Sequence, residues 1–143
     1  MSKIVCYLTQ IARCGGQYRN QHMEPFGIRA RQASLLLEIC ATPGISQDAL
    51  ARRVFLDKSV VARALANLEE QGFVERPTCQ KDRRVIRLHP TEKALQLQPR
   101  LREVSAQWEQ FLTADMTQEE LALLESLLSR LETRAAEWRS EEE

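Results

Sequence analysis

Along most of the chain, apolar residues recur at steps of three and four, the period of a helix with one buried face. Ile4, Leu8 and Ile11 set such a stripe on a first helix of about 20 residues, within which Gly15-Gly16 either weakens the middle or allows close packing. A second helix is expected over about Arg29 to Cys40, with Leu36, Ile39 and Cys40 facing a core, and Pro43-Gly44 ends it. In ISQDALARRV, Ser46 suits an N-cap, Asp48 lies in the first turn, and Leu50, Ala51 and Val54 form one buried side. After Phe55-Leu56 comes a second capping signal at Asp57, then KSVVARALANLEEQ with Val61, Leu65 and Leu68 on one face. Gly72 is placed to terminate that helix in the left-handed conformation.

Two short helices joined tightly, the second amphipathic and closed by glycine, predict a helix-turn-helix. The period then changes: Phe73 to Arg76 and Val85 to Leu88 read as short strands around the polar loop PTCQKDRR. That pattern predicts a β-hairpin with a basic tip, a wing. Thr91 can then cap a long helix carrying Leu97, Leu101, Val104, Trp108 and Phe111. A last helix, starting near Thr117 with Glu120 in the capping-box position, carries Leu121, Leu124, Leu128, Leu131, Ala135 and Trp138. Both stripes alternate steps of three and four, as coiled-coil seams do. The fold class is therefore mainly α with a small β-hairpin wing: a winged helix-turn-helix flanked by long N- and C-terminal helices.

Twenty basic and twenty acidic residues give no net charge, which excludes a uniformly basic binder. The charge is unevenly placed, however. Residues 1–45 hold five basic and two acidic residues, residues 46–90 nine and six, and residues 91–143 six and twelve. No stretch suits a signal peptide or a membrane span, so a soluble cytoplasmic protein without a membrane partner is expected. Cys6, Cys14, Cys40 and Cys79 lie far apart, and His22 and His89 are the only histidines. Neither a metal site nor a disulfide scaffold is suggested, and no cofactor is expected. With no phosphate-cradling glycine loop, HExxH or GxSxG, an enzyme is not expected either.

The segment KSVVARALANLEEQGFVERPTCQKDRRVIRLHPTEKA resembles the MarR family of bacterial transcriptional regulators. The likeness lies in Leu68-Glu69, Gly72 and Arg76 at the exit of the recognition helix, Asp82-x-Arg84 in the wing, and Thr91-Glu92-Lys93 at the next helix. GIRARQASLLLEICATPGISQDALA is similar to the family's approach to the motif, so the match covers nearly the whole chain. Pro90 and Ala94 depart from the family pattern, where an aliphatic residue and a glycine are usual, and both concern the joint between wing and helix. The resemblance implies a dimeric DNA-binding regulator, most often a repressor released by a small ligand or by oxidation. Residues 1–143 would form one such domain, with a DNA-binding lobe over 29–90 and dimerisation helices over 1–24 and 91–143.

With Val61, Leu65 and Leu68 turned inward, Lys58, Ser59, Val60, Ala62, Arg63 and Asn67 face outward or flank the DNA side. Arg63 is the candidate base reader, because a guanidinium can donate two bonds to guanine. Taken without the family context, Lys58 and Arg63 read equally well as solvated helix charges. From Arg76 to Arg87 there are five basic residues and one acidic residue. Arg84 suits a narrow minor groove, and Lys81 and Arg83 suit phosphates. By the family pattern Asp82 would pair with a nearby arginine, Arg76 being the candidate, and so stiffen the wing rather than meet DNA. Double-stranded DNA and a second copy of the chain are the expected partners. A small-molecule effector is a further candidate, with Tyr18, His22 and Arg31 as pocket residues, and Cys6 and Cys14 are candidate redox thiols. The competing reading is a winged-helix module that binds protein and has no specific DNA site.

Overall fold

The computed structural model describes residues 1–77 and 85–142. Its elements follow in the order α1 (Ile4–Met23), a 3-10 turn (Glu24–Phe26), α2 (Ala30–Ala41), β1 (Ile45–Ser46), α3 (Gln47–Arg53), α4 (Lys58–Glu70), β2 (Val74–Glu75), β3 (Arg87–Pro90), α5 (Glu92–Leu112) and α6 (Gln118–Glu142). They fall into two compact units, Met1–Trp108 and Glu109–Glu143.

The first unit holds the core. Leu36 and Ile39 of α2, Leu50 of α3, and Val61, Leu65 and Leu68 of α4 are fully buried, as their spacing predicts. Leu35, Leu88, Leu101 and Val104 join them. Burying each such side chain stabilises the fold by roughly 1.5–3 kcal/mol before chain entropy is set against it. Cys40 stops at the edge, half-buried rather than in the core. Burial pushes its thiol above the ordinary value, and the Arg102 guanidinium opposes the rise.

Helix ends follow local chemistry. Ser46 Oγ accepts from Ala49 N at 3.1 Å, the expected cap on α3. Asp57 does occupy the N-cap position of α4, but its side chain makes no capping hydrogen bond; its backbone oxygen accepts from Val61 N. At the other end of α4, Gly72 sits at φ +82°, with Phe73 N donating to Leu68 O and Gly72 N to Glu69 O. These two bonds satisfy carbonyls that the helix itself leaves open, and they turn the chain sharply into β2. Between α3 and α4 the same turn is made with Phe55 at φ 57°, a conformation costly for a residue with a Cβ, so the helix-turn-helix joint is held tight by its surroundings.

The sheet corrects the hairpin in two respects. It has three strands in the order β1-β3-β2, and β1, a two-residue strand after Gly44, pairs Ile45 with Leu88 and Ser46 with Arg87. The second hairpin strand begins at Arg87 rather than Val85 and runs through His89 to Pro90, opposite Glu75 and Val74. Pro90, lacking an N–H, fits opposite Val74 because the next bond to that strand is donated by Thr91 N to Phe73 O at 3.1 Å.

Beyond the sheet, Thr91 Oγ1 accepts from Ala94 N at 3.3 Å, capping α5 as expected, and donates to Gly72 O at 2.6 Å. Lys93 Nζ donates to Gln71 O and lies 4.3 Å over the Phe73 ring. The Thr-Glu-Lys segment thus ties the start of α5 to the end of α4. On α1, Gly15 leaves room for Trp108, since a Cβ there would stand 2.8 Å from the indole nitrogen. Of the two readings of Gly15, close packing is the one the structure contains.

In the second unit, Thr117 and Glu120 form the predicted capping box, with reciprocal bonds of 3.1 and 3.2 Å. No described residue of α6 is buried. Leu123, Leu127, Leu128, Leu131 and Trp138 remain exposed, and on α1 so do Ile4, Val5, Tyr7, Leu8 and Ile11.

Candidate nucleic-acid interface

Helix α4 presents a sharply divided surface. Its inner stripe is fully buried, whereas Lys58, Ser59, Arg63 and Asn67 are exposed and Val60 and Ala62 are half-buried. Ser59 and Arg63 lie one turn apart on the side away from the core, and Ala66 continues that face with a methyl group. A short hydroxyl, a guanidinium and a methyl on one exposed helical stripe are groups that can meet base edges and phosphates. Ala66 was not among the expected residues, although the same period that turns Leu65 inward turns it outward.

Two expected residues have protein partners. Lys58 Nζ lies 3.7 Å from Asp48 Oδ1, an exposed pair worth about 0–1 kcal/mol that links α4 to the first turn of α3. Asn67 Oδ1 accepts from Gln32 Nε2 at 2.7 Å and from Gln71 Nε2 at 2.6 Å. Gln32 Oε1 in turn accepts from Arg29 N at 2.8 Å. Asn67 therefore ties α4 to the start of α2, a use that its outward position alone does not reveal.

At the wing, Arg76 Nε donates to Glu69 Oε2, so the exit strand is clamped to the last turn of α4. Lys81, Asp82, Arg83 and Arg84 lie outside the described residues. Arg87, on β3, is exposed and donates to Gly44 O at 3.1 Å, carrying positive charge to the base of the hairpin.

The residues expected around an effector separate into two places. Tyr18 stacks on His22 with ring centroids 4.0 Å apart and tilts against Trp108 at 5.2 Å. His22 Nδ1 lies 2.8 Å from Tyr18 O. Arg31 instead lines a cavity of about 840 Å³ between α1, α2 and α4, together with Arg19, Arg29 and Arg63. Arg19 and Arg29 were missed because neither belongs to a periodic stripe or a motif. Cys6 and Cys14 are both exposed on α1. Among the described residues, no cluster of three or more His, Cys, Asp or Glu is placed to hold a metal ion, and no helix is long and apolar enough to cross a membrane.

Comparison with known proteins adds an independent measure. Residues 26–85, from the turn before α2 to the wing, match the model of the MarR family. Over 131 residues the chain is 29% identical to the HTH-type transcriptional regulator YybA of Bacillus subtilis (strain 168), covering 92% of this chain and 87% of that one. The crystal structure of a MarR protein shares 31% identity with a TM-score of 0.87, covering 99% of this chain and 98% of the other. A Listeria monocytogenes structure described as a MarR family transcriptional regulator complexed with 26mer DNA shares 25% identity with a TM-score of 0.91, covering 96% and 91%. Sequence and fold agree over nearly the full length, and the chain belongs to the MarR family of transcriptional regulators.

Proposed function

We propose that this chain is a DNA-binding repressor that acts as a homodimer on a palindromic operator in the cytoplasm. The observation that carries the reading is the exposed Ser59 and Arg63 stripe on a helix whose opposite face is fully buried. Such a helix presents its polar face rigidly, as insertion into a major groove requires. In this reading Arg63 reads a base, Ser59, Val60 and Ala62 line the groove, and Lys58 and Asn67 flank it. Lys81, Arg83 and Arg84 of the wing meet phosphates and the minor groove, and Arg76 and Asp82 stiffen the hairpin. The similarity to a regulator complexed with 26mer DNA supports the same assignment.

Dimerisation falls to residues 1–24 and 91–143, and the DNA-binding lobe to 29–90. The exposed leucines of α6 and the exposed Ile4, Leu8 and Ile11 of α1 support a two-fold interface, since so much apolar surface is costly to leave in water. Two lobes held about one helical turn apart, ~34 Å, would read two half-sites. Release of DNA comes from a small ligand, or from oxidation of Cys6 or Cys14, whose exposure supports access by an oxidant.

Selection of bound genomic fragments by the full chain tests this reading. A palindromic sequence should emerge, and its affinity should fall steeply between 50 and 200 mM salt, by roughly 10³-fold if six phosphates are contacted. Binding that selects no sequence and ignores salt would instead favour a protein-interaction module.

A further inference from the structure

Three successive carbonyls at the exit of α4 take their hydrogen bonds from one short segment at the start of α5. Lys93 Nζ donates to Gln71 O at 2.7 Å, Thr91 Oγ1 to Gly72 O at 2.6 Å, and Thr91 N to Phe73 O at 3.1 Å. The Lys93 ammonium also lies 4.3 Å over the Phe73 ring, a second hold on the same side chain. A cation is favoured here, because the helix macrodipole of α4 ends negative at these carbonyls. Pro90 fixes one backbone torsion just before the segment, and Ala94, fully buried just after it, seats the first turn of α5 in the core.

The opposite end of α4 is held far less. Asp57 makes no side-chain cap bond there, and Lys58 reaches Asp48 only at 3.7 Å, with both side chains mostly exposed. The apolar stripe between the two ends buries one face of α4 without fixing its pitch, because hydrophobic contact is non-directional. Directional bonds set the pitch, and they gather at the C-terminal end, where Arg76 on Glu69 and Gln32 on Asn67 join those of Lys93 and Thr91. Arg63 stands eight residues before Gln71, roughly 12 Å along the helix. A tilt of about 10° at Gln71 would carry it by about 2 Å, more than a pair of hydrogen bonds to one base tolerates.

We infer that Lys93 and Thr91 are positioning residues for DNA reading: they lock the exit of α4 to the start of α5, so that α4 takes its angle from the long helix that follows the wing. Neither side chain needs to touch DNA for this. The Lys93 ammonium faces Gln71 O and the Phe73 ring, and Thr91 Oγ1 is engaged by Gly72 O and Ala94 N. Since α5 belongs to the proposed dimer frame, a shift of its first turn would reach Ser59 and Arg63 through this lock. The effect on DNA reading rests on the proposed function, whereas the lock between α4 and α5 does not.

Two measurements on the full chain test this. The first, amide hydrogen exchange followed by NMR, needs no DNA. Lys93→Met and Thr91→Val should each speed exchange at Gln71, Gly72 and Phe73 at least tenfold relative to Leu36 and Ile39 in the core. Exchange at the exit of α4 that rises no more than in the core would overturn the lock. In the second, titration of the selected duplex, Lys93→Met should weaken binding at least fivefold and flatten the preference at the base pair that Arg63 reads, with the salt slope unchanged. Lys93→Arg, which can still donate to Gln71 O, should restore both affinity and preference. A salt slope lower by about 1 would make Lys93 a phosphate contact. That outcome, weakening of less than fivefold, or weakening with the base preference intact would each overturn the positioning role. If the wild-type chain selects no duplex, the repressor reading fails, while the exchange measurement still decides the lock.

Discussion

In α4, Val61, Leu65 and Leu68 are fully buried, whereas Leu128 and Leu131 of α6, at the same three-residue step, remain 40% and 44% exposed. Both helices carry an amphipathic repeat of the kind that drives folding, yet only one repeat is consumed within the chain. The unit Met1–Trp108 closes a core of its own, and α6 is left with an exposed leucine face. Periodicity thus identifies a face that must be covered, and burial tells whether the same chain covers it.

Truncating one leucine on each helix should separate the two faces by the largest margin. Leu65→Ala should cost about 2–5 kcal/mol by urea unfolding, because the surrounding core cannot fully collapse into the space. Leu131→Ala should cost less than about 0.5 kcal/mol at protein concentrations where the chain is monomeric. If α6 is a dimer face, its cost should grow as concentration rises and partner contacts enter the measurement. Equal costs independent of concentration would place Leu131 in a core like that of Leu65.

A smaller effect is expected at the edge of the core. The Cys40 thiol is raised above its ordinary value of 9.0 by burial, so the unfolded chain loses this proton first as pH rises. The stability tied to the neutral thiol is therefore complete below pH 9.0 and declines as pH climbs toward the folded value. The difference in unfolding free energy between wild type and Cys40→Ala should be constant from pH 7 to 8 and shrink above pH 9. A difference that stays flat through pH 10.5 would remove burial as the cause. In the native protein, a maleimide should also label exposed Cys6 and Cys14 before Cys40.

How much of this was legible in the sequence depends on the range of the forces involved. The buried stripe of α4, its termination at Gly72, the Ser46 cap and the Thr117–Glu120 box are all set by residues within one or two turns, and each is found where spacing predicts it. Strand β1 was not legible, because Ile45-Ser46 is too short to show alternation and forms only by pairing with Leu88 and Arg87, some 40 residues away. Pairing with Glu75 and Val74 of β2 carries β3 past Leu88 to Pro90. In the candidate site, the exposure of Ser59 and Arg63 follows from the helical period. The engagement of Asn67 by Gln32 does not, nor does the meeting of Arg19, Arg29, Arg31 and Arg63 around one cavity. Those depend on how α1, α2 and α4 pack, which no local pattern encodes.

If the exposed face of α4 reads DNA, Arg63→Ala should change both the strength and the sequence preference of binding. Its affinity should be measured against the selected duplex and against variants of that duplex with each base pair changed in turn. Binding should weaken, with loss of about 1–3 kcal/mol of discrimination at one base pair per half-site and preferences elsewhere unchanged. Uniform weakening across all duplexes would make Arg63 a phosphate contact only, and unchanged affinity and preference would contradict the claim.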